Sequence, residues 1–356
     1  MAFTKVTQMT NRETMLRAAR FDVPEIIPMR IHISAACWHH YPQADLLDIM
    51  AAFPQFFPNV DPSKSVSPQN QPWRTAGRPY TDSWGCVWET PENGITGAVV
   101  DHPLKSWDAF DAYSPPDPEQ HNGWGPINWD RITAGFQNSV DRLKSGSLRH
   151  GHTFLTLSYI RGYENLIFDM ADQHPKLPAL IQMVEAFNAF YIQRFVELGA
   201  EWMGYPEDLG MQVGPMLSPD QFRTHIKPVY QRLMQPAFDA GCVVHMHSDG
   251  DIRDLAHDLL GCGIHVLNVQ DLVNGIDWIR DQLKGRVCID LDIDRQNITR
   301  FGTPDQIDAH IREAIAKLGS REGGLMITCG IYAGIPLENI CALLDALARY
   351  QDYFSS

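Results

Sequence analysis

Cys242-Val243-Val244-His245-Met246-His247-Ser248-Asp249-Gly250 runs directly into Asp251-Ile252-Arg253-Asp254-Leu255-Ala256-His257-Asp258-Leu259-Leu260, and the two halves have different periods. The first reads as a buried strand that turns polar at its carboxyl end. The second follows a glycine and a capping aspartate and places its apolar residues at helical spacing. Strand, polar turn and helix is the repeating unit of parallel α/β sheets, which bind ligands at the carboxyl ends of their strands. In an extended chain residues two apart share a face, so His245, His247 and Asp249 are expected to converge. Three metal-binding side chains at one strand end mark the place to look for chemistry.

The same alternation recurs through the second half of the chain. Strand patterns are expected near 152–159, 202–205, 242–247, 265–269, 286–290 and 325–328, separated by helical patterns at 177–198, 219–240, 303–318 and 336–350. Upstream, Thr10-Asn11-Arg12-Glu13 has the form of a capping box that opens a helix to about Arg20, and Glu25-Ile26-Ile27-Pro28-Met29-Arg30-Ile31-His32-Ile33 reads as the first strand. A Pro-, Trp- and Tyr-rich irregular stretch occupies about 37–113, where a further strand is expected. The count approaches eight, which favours a closed (β/α)8 TIM barrel, one α/β domain over 1–356, above an open doubly wound sheet. No GxGxxG or GxxxxGKS/T motif follows a strand, so nucleotide binding has little support.

Bulk properties narrow the class. The chain has 356 residues, 44% hydrophobic and 20% charged, with a net charge of −14. That balance suits a globular enzyme and disfavours nucleic acid or an anionic membrane as partner. Cysteines stand singly at 37, 86, 242, 262, 288, 329 and 341 with no CxxC, which points to free thiols and the cytoplasm. The opening Met1-Ala2-Phe3-Thr4-Lys5-Val6-Thr7-Gln8-Met9-Thr10 lacks the apolar run of a signal peptide, and no segment reaches the roughly 20 apolar residues of a membrane span.

In a barrel the strand ends face one mouth, so their polar residues can be pooled. The pool is His32, Asp82, Tyr159, Glu207, Asp208, His245, His247, Asp249, Gln270, Asp290, Asp292 and Cys329. A histidine, a carboxylate and a thiolate with one open position suit catalytic zinc. Trp73, Tyr80, Trp84 and Trp88 are candidates for the wall of an apolar substrate pocket.

Several stretches together resemble the uroporphyrinogen decarboxylase superfamily, in its branch of cobalamin-dependent methyltransferases similar to methylcobamide:coenzyme M methyltransferases. They are Asn11-Arg12-Glu13-Thr14-Met15-Leu16-Arg17-Ala18-Ala19, Asp82-Ser83-Trp84-Gly85-Cys86-Val87-Trp88, Glu207-Asp208-Leu209-Gly210-Met211-Gln212, Leu217-Ser218-Pro219, His247-Ser248-Asp249-Gly250-Asp251-Ile252-Arg253 and Phe301-Gly302-Thr303-Pro304. The resemblance covers nearly the whole chain and implies a (β/α)8 barrel. It also implies Zn2+ held by His247, Asp249 and Cys329, with His245 as fourth ligand or as a partner fixing the ring of His247. Glu207 or Asp208 would fill the open position or protonate a leaving oxygen, with Tyr159 and Asp82 beside them as catalytic candidates.

The branch typically has cysteine where this chain has Asp249, and a harder carboxylate makes the metal a stronger Lewis acid. That favours taking a methyl group from a small donor, such as a methoxylated compound, over activating a thiol. The chain lacks an Asp-x-His-x-x-Gly corrinoid motif, so the cobalamin is expected on a separate corrinoid protein. A homodimer is a further implication of the resemblance. Two other readings stay open: a metal-independent decarboxylase or lyase for a small carboxylated substrate, using Asp82, Tyr159 and Arg30, and a non-catalytic binding protein for a corrinoid or tetrapyrrole.

Overall fold

The computed structural model of the protein describes residues 11–64, 66, 70–139 and 141–355. Its first helix is Asn11–Arg20; the expected cap, Thr10, and the rest of the opening segment lie outside the described residues. In chain order the strands are β1 (Met29–Ile33), β2 (Tyr80–Thr81), β3 (Val87–Glu89), β4 (Ala98–Asp101), β5 (Ser145–Ser147), β6 (Trp202–Asp208), β7 (Gly210–Met211), β8 (Gly214–Pro215), β9 (Val243–Asp249), β10 (Val266–Gln270), β11 (Cys288–Asp292) and β12 (Leu325–Ile331). Seven of them form one curled sheet in the order β1-β12-β11-β10-β9-β6-β5. Every pairing in it is parallel. This is a TIM-barrel-like α/β fold, as expected, but with seven paired strands among the described residues and an unpaired seam between β1 and β5.

Two differences from the expected elements have clear causes. Residues 152–159, read as a strand, are a turn and the start of the helix Phe154–Arg161, whose short apolar run is buried on nearly every side and so carries no helical period. The strand of that repeat is instead Ser145-Gly146-Ser147, too short and too polar to show a β signature. Among the described residues the irregular stretch adds no strand to the barrel; β2, β3 and β4 form a separate antiparallel sheet. The expected helices after residues 176, 303 and 336 are present, and Thr303 with Gln306 completes a capping box. The polar turn after β9 is longer than expected, and helix begins only at Ala256.

Alternation along the strands sorts side chains into two layers. Val244, Met246, Leu267, Val269, Ile289, Leu291, Ile327 and Cys329 face outward into the main core beneath the helices. Trp202, Val243, Val266, Cys288 and Met326 face inward, where they meet Met15 and Leu16 of the first helix as an apolar barrel floor. Above that floor the inward positions turn polar, through His245 and Asp290 to His247, Asn268 and Asp292. No helix among the described residues is long and apolar enough to cross a membrane.

One buried pair outside the mouth ties stability to pH. Asp271, directly after β10, accepts a 2.6 Å hydrogen bond from His310 Nε2 on the helix Pro304–Leu318. Burial pulls the His310 pKa down, but the bond and charge of Asp271 outweigh it and hold it above the ordinary 6.5. The stabilisation is therefore complete below that value and lost as pH rises through the raised one. Urea midpoints are expected to fall as pH rises above about 6.5, and His310→Gln is expected to lower the acid-side stability by about 2 kcal/mol and flatten the slope.

Candidate metal centre at the strand ends

The inward parity of β9 and β6 puts His247 beside Asp208 at the mouth. His247 Nε2 lies 3.5 Å from Asp208 Oδ1, and His150 Nε2, from the loop after β5, lies 3.3 Å from the same oxygen. The ligand atoms of His150, Asp208 and His247 all fall within 4.8 Å of one another. Donors around a tetrahedral zinc with bonds of about 2.0 Å stand about 3.3 Å apart. Two imidazole nitrogens and a carboxylate oxygen at these spacings fit such an ion.

Neighbouring groups set the orientation of each donor. Asn268 Nδ2 donates to the Asp290 carbonyl at 2.8 Å, which fixes the amide and leaves its Oδ1 to accept from His247 Nδ1. With Nδ1 carrying that proton, Nε2 is the nitrogen turned toward Asp208, the arrangement expected of a metal-binding histidine. Burial pulls the His247 pKa down, but the hydrogen bond to Asp208 and the charges of Asp249 and Asp208 carry it up to about 9. Asp208 resists its own burial because both histidines stabilise the anion, which holds its carboxyl well below the usual range.

Glu207, one residue earlier on β6, faces the other way. Its Oε2 accepts from the backbone N–H groups of Thr153 and Phe154 at 2.9 and 2.8 Å and from Tyr230 Oη at 3.0 Å, while Oε1 accepts from Leu155 N at 3.2 Å. Burial pushes its pKa up to about 7 against the pull of those donors. The carboxylate grips the start of the helix Phe154–Arg161 and so anchors the loop that carries His150. It was expected at the mouth, but its carboxylate lies on the other face of β6 from Asp208.

Other expected site residues are also relocated. Cys329 lies within β12, not beyond it, and points outward into the core, fully buried, with its thiol pKa raised by burial. Strand parity puts it on the opposite face from His247, so it does not join the cluster. His245 sits one layer below, its Nε2 2.8 Å from Asp290 Oδ2. Asp249 Oδ1 is 3.7 Å from His247 Nε2, but its two oxygens are taken by Gln270 Nε2 and Arg295 Nη2. Arg295 also holds Asp292 Oδ2 through Nη1 and stacks over Tyr332.

Asp82 is buried away from the mouth. It accepts from Trp84 N, Cys86 N, Trp88 Nε1 and Arg149 Nη2 at 2.9 to 3.0 Å. Tyr159 lies on a helix and packs edge-on against Trp88, ring centroids 4.7 Å apart. Trp84 and Trp88 are core residues, whereas Trp73 stacks on Trp124 and Tyr80 Oη donates to the Trp124 carbonyl.

The residues missed from sequence are His150, Asn268 and Arg295. Asn268 had a signal, since Asn268 and Gln270 are polar at alternate positions of an otherwise apolar strand. Arg295 had none.

Comparisons with known proteins bear on the family and the fold. Residues 82–350 match the family model described as uroporphyrinogen decarboxylase (URO-D). The chain is 26% identical over 163 residues to the methylcobamide:CoM methyltransferase MtaA of Methanosarcina barkeri; the match covers 45% of this chain and 45% of that relative's length. Its fold is similar to that of a methyltransferase from Methanosarcina mazei, with a TM-score of 0.67 at 18% identity over 96% of this chain and 99% of the other.

Proposed function

The chain belongs to the uroporphyrinogen decarboxylase family, and from that premise we propose that it is a metal-assisted methyltransferase that passes a methyl group from a small donor to the cobalt of a separate corrinoid protein. The observation that carries this reading is the convergence of His150, Asp208 and His247 at the barrel mouth. The likeness to MtaA supplies the corrinoid chemistry of the proposal. His150 Nε2, Asp208 Oδ1 and His247 Nε2 would hold a zinc ion, in place of the set that included His245, Asp249 and Cys329. Zinc bound there would supply Lewis acidity toward a donor oxygen. A set of two imidazoles and one carboxylate, without thiolate, suits that task better than it suits keeping a thiol nucleophilic.

The residues around the donors have separate duties. Asn268 orients His247, Glu207 fixes the loop of His150, and Arg295 holds Asp249 and Asp292 together at the rim. In the overall reaction the donor's C–O bond breaks, the oxygen keeps the bonding pair and takes one proton, and the methyl group bonds to Co(I) of the corrinoid. The metal-independent decarboxylase reading loses its carboxylate, because Asp82 is closed in by Trp84, Trp88 and Arg149.

The test is methyl transfer from a panel of methoxylated compounds to cob(I)alamin, followed by its visible spectrum, with zinc-loaded protein. Conversion to methylcobalamin that disappears in Asp208→Ala is the expected result. Corrinoid binding without turnover of any donor would move the reading to a binding protein.

A further inference from the structure

The unpaired seam between β1 and β5 opens onto a cavity of about 830 Å³ inside the barrel. Such a volume is that of a small-molecule site, whereas the interior of an ordinary TIM barrel is filled by side chains. Its lining runs from Arg30 on β1 and Ser145 and Ser147 on β5, past Trp202 and His245, up to His247. The cavity therefore reaches the candidate metal centre from the side, beneath the mouth.

Charge and spacing define what fits. The chain as a whole carries −14, yet the cavity is lined by Arg30 and Arg142 against the carboxylate of Asp141, with Arg12 already held by Glu201. Arg30 uses Nη2 on Asp290 Oδ2 and Thr328 Oγ1, while its side chain stays 44% exposed. A guanidinium has five N–H donors in a planar fork matched to a carboxylate, so it retains capacity for a ligand. His245 Nε2 binds the same Asp290 oxygen, which places Arg30 at the level of His245. His247 is two residues further along β9, about 7 Å higher. That is about the span from the carboxylate of a benzoate to its para substituent. Trp202, packed on His245 from the floor below with ring centroids 5.3 Å apart, supplies a flat apolar base to the cavity.

We propose that this seam cavity is the donor chamber, and that it takes a small aromatic carboxylate whose charged end meets Arg30 and whose para-methoxy group reaches His247. The inference rests on the methyltransferase reading for the fate of the methyl group, but not for the binding. Entry through the side leaves the mouth above free for the corrinoid, so the two substrates approach the centre from different directions.

Calorimetric titration of the full-length, zinc-loaded protein with para-methoxybenzoate, beside neutral methoxybenzene, tests it. The carboxylate is expected to bind at least about tenfold more tightly, the worth of one charge-assisted contact. Arg30→Met should bring the two ligands to nearly equal affinity. Should Arg30→Met fail to fold, Ser145→Trp provides the second reading: the added ring closes the seam at an exposed position and should abolish binding while leaving the zinc content unchanged. Equal affinity of the parent for both ligands, or undiminished binding in Ser145→Trp, would overturn the chamber. Binding with this pattern but no methyl transfer would uphold the chamber and sink the methyltransferase reading, so the two fail separately.

Discussion

Asp82→Ala is expected to destabilise the protein by about 3–5 kcal/mol, the cost of breaking a buried ion pair from one side. The carboxylate is fully buried and accepts four hydrogen bonds, one of them from Arg149, whose side chain is only 5% exposed. Truncation would leave that guanidinium charged in the interior with only the Gly123 carbonyl, which accepts from Nη1 at 2.7 Å, and the faces of Trp88 and Trp124 as neighbours. The N–H of Trp88 and two backbone N–H groups would lose their acceptor as well. Because His150 follows Arg149 directly, the damage should spread from the 82–88 turn to the candidate metal centre. Denaturant unfolding monitored by tryptophan fluorescence measures the loss. A cost below about 1 kcal/mol would show that the cluster repairs itself and that Asp82 is not its keystone.

The second large effect concerns metal retention. Protein purified without added metal and analysed by mass spectrometry is expected to hold about one zinc per chain, lost in His247→Ala and in His150→Ala. Cys329→Ser is expected to retain it, since that thiol faces the outer core and its pKa is raised by burial, the opposite of what a thiolate ligand requires. The pair of outcomes discriminates between the donor set found at the mouth and the one expected from sequence. Loss of zinc in Cys329→Ser with retention in His150→Ala would reverse the assignment, and no zinc in the parent even after loading would remove the metal altogether.

The barrel could be read from sequence because its long helices and apolar strands have strong periods. β9 in particular shows both the core face and the polar end in seven residues. The candidate site was legible where strand parity was legible: His247 and Asp208, pooled as residues at strand ends, share the inward face. Cys329 was misplaced because β12 runs on through Ile331, so a cysteine expected just beyond the strand falls inside it, on the wrong face. His150 was missed for a related reason. With the strand of that repeat read at 152–159, His150 seemed to precede a strand, whereas it follows the three-residue β5. A Ser-Gly-Ser strand is held by its neighbours and the backbone ladder, and nothing in its side chains announces it. Glu207 and Asp82 show a different limit: a carboxylate that organises backbone N–H groups looks, in a sequence, the same as one that performs chemistry.

Adjacent positions 207 and 208 of β6 serve opposite faces: one carboxylate moors the loop behind the sheet and the next meets His150 and His247 in front of it. Divergence under that constraint would be lopsided. The side chains around the mouth can drift one at a time, and a ligand can be exchanged for another donor, as long as the count of residues along the strand is kept. A single inserted or deleted codon within β6 would turn the two carboxylates to each other's side at one stroke, a change that no later point substitution could undo.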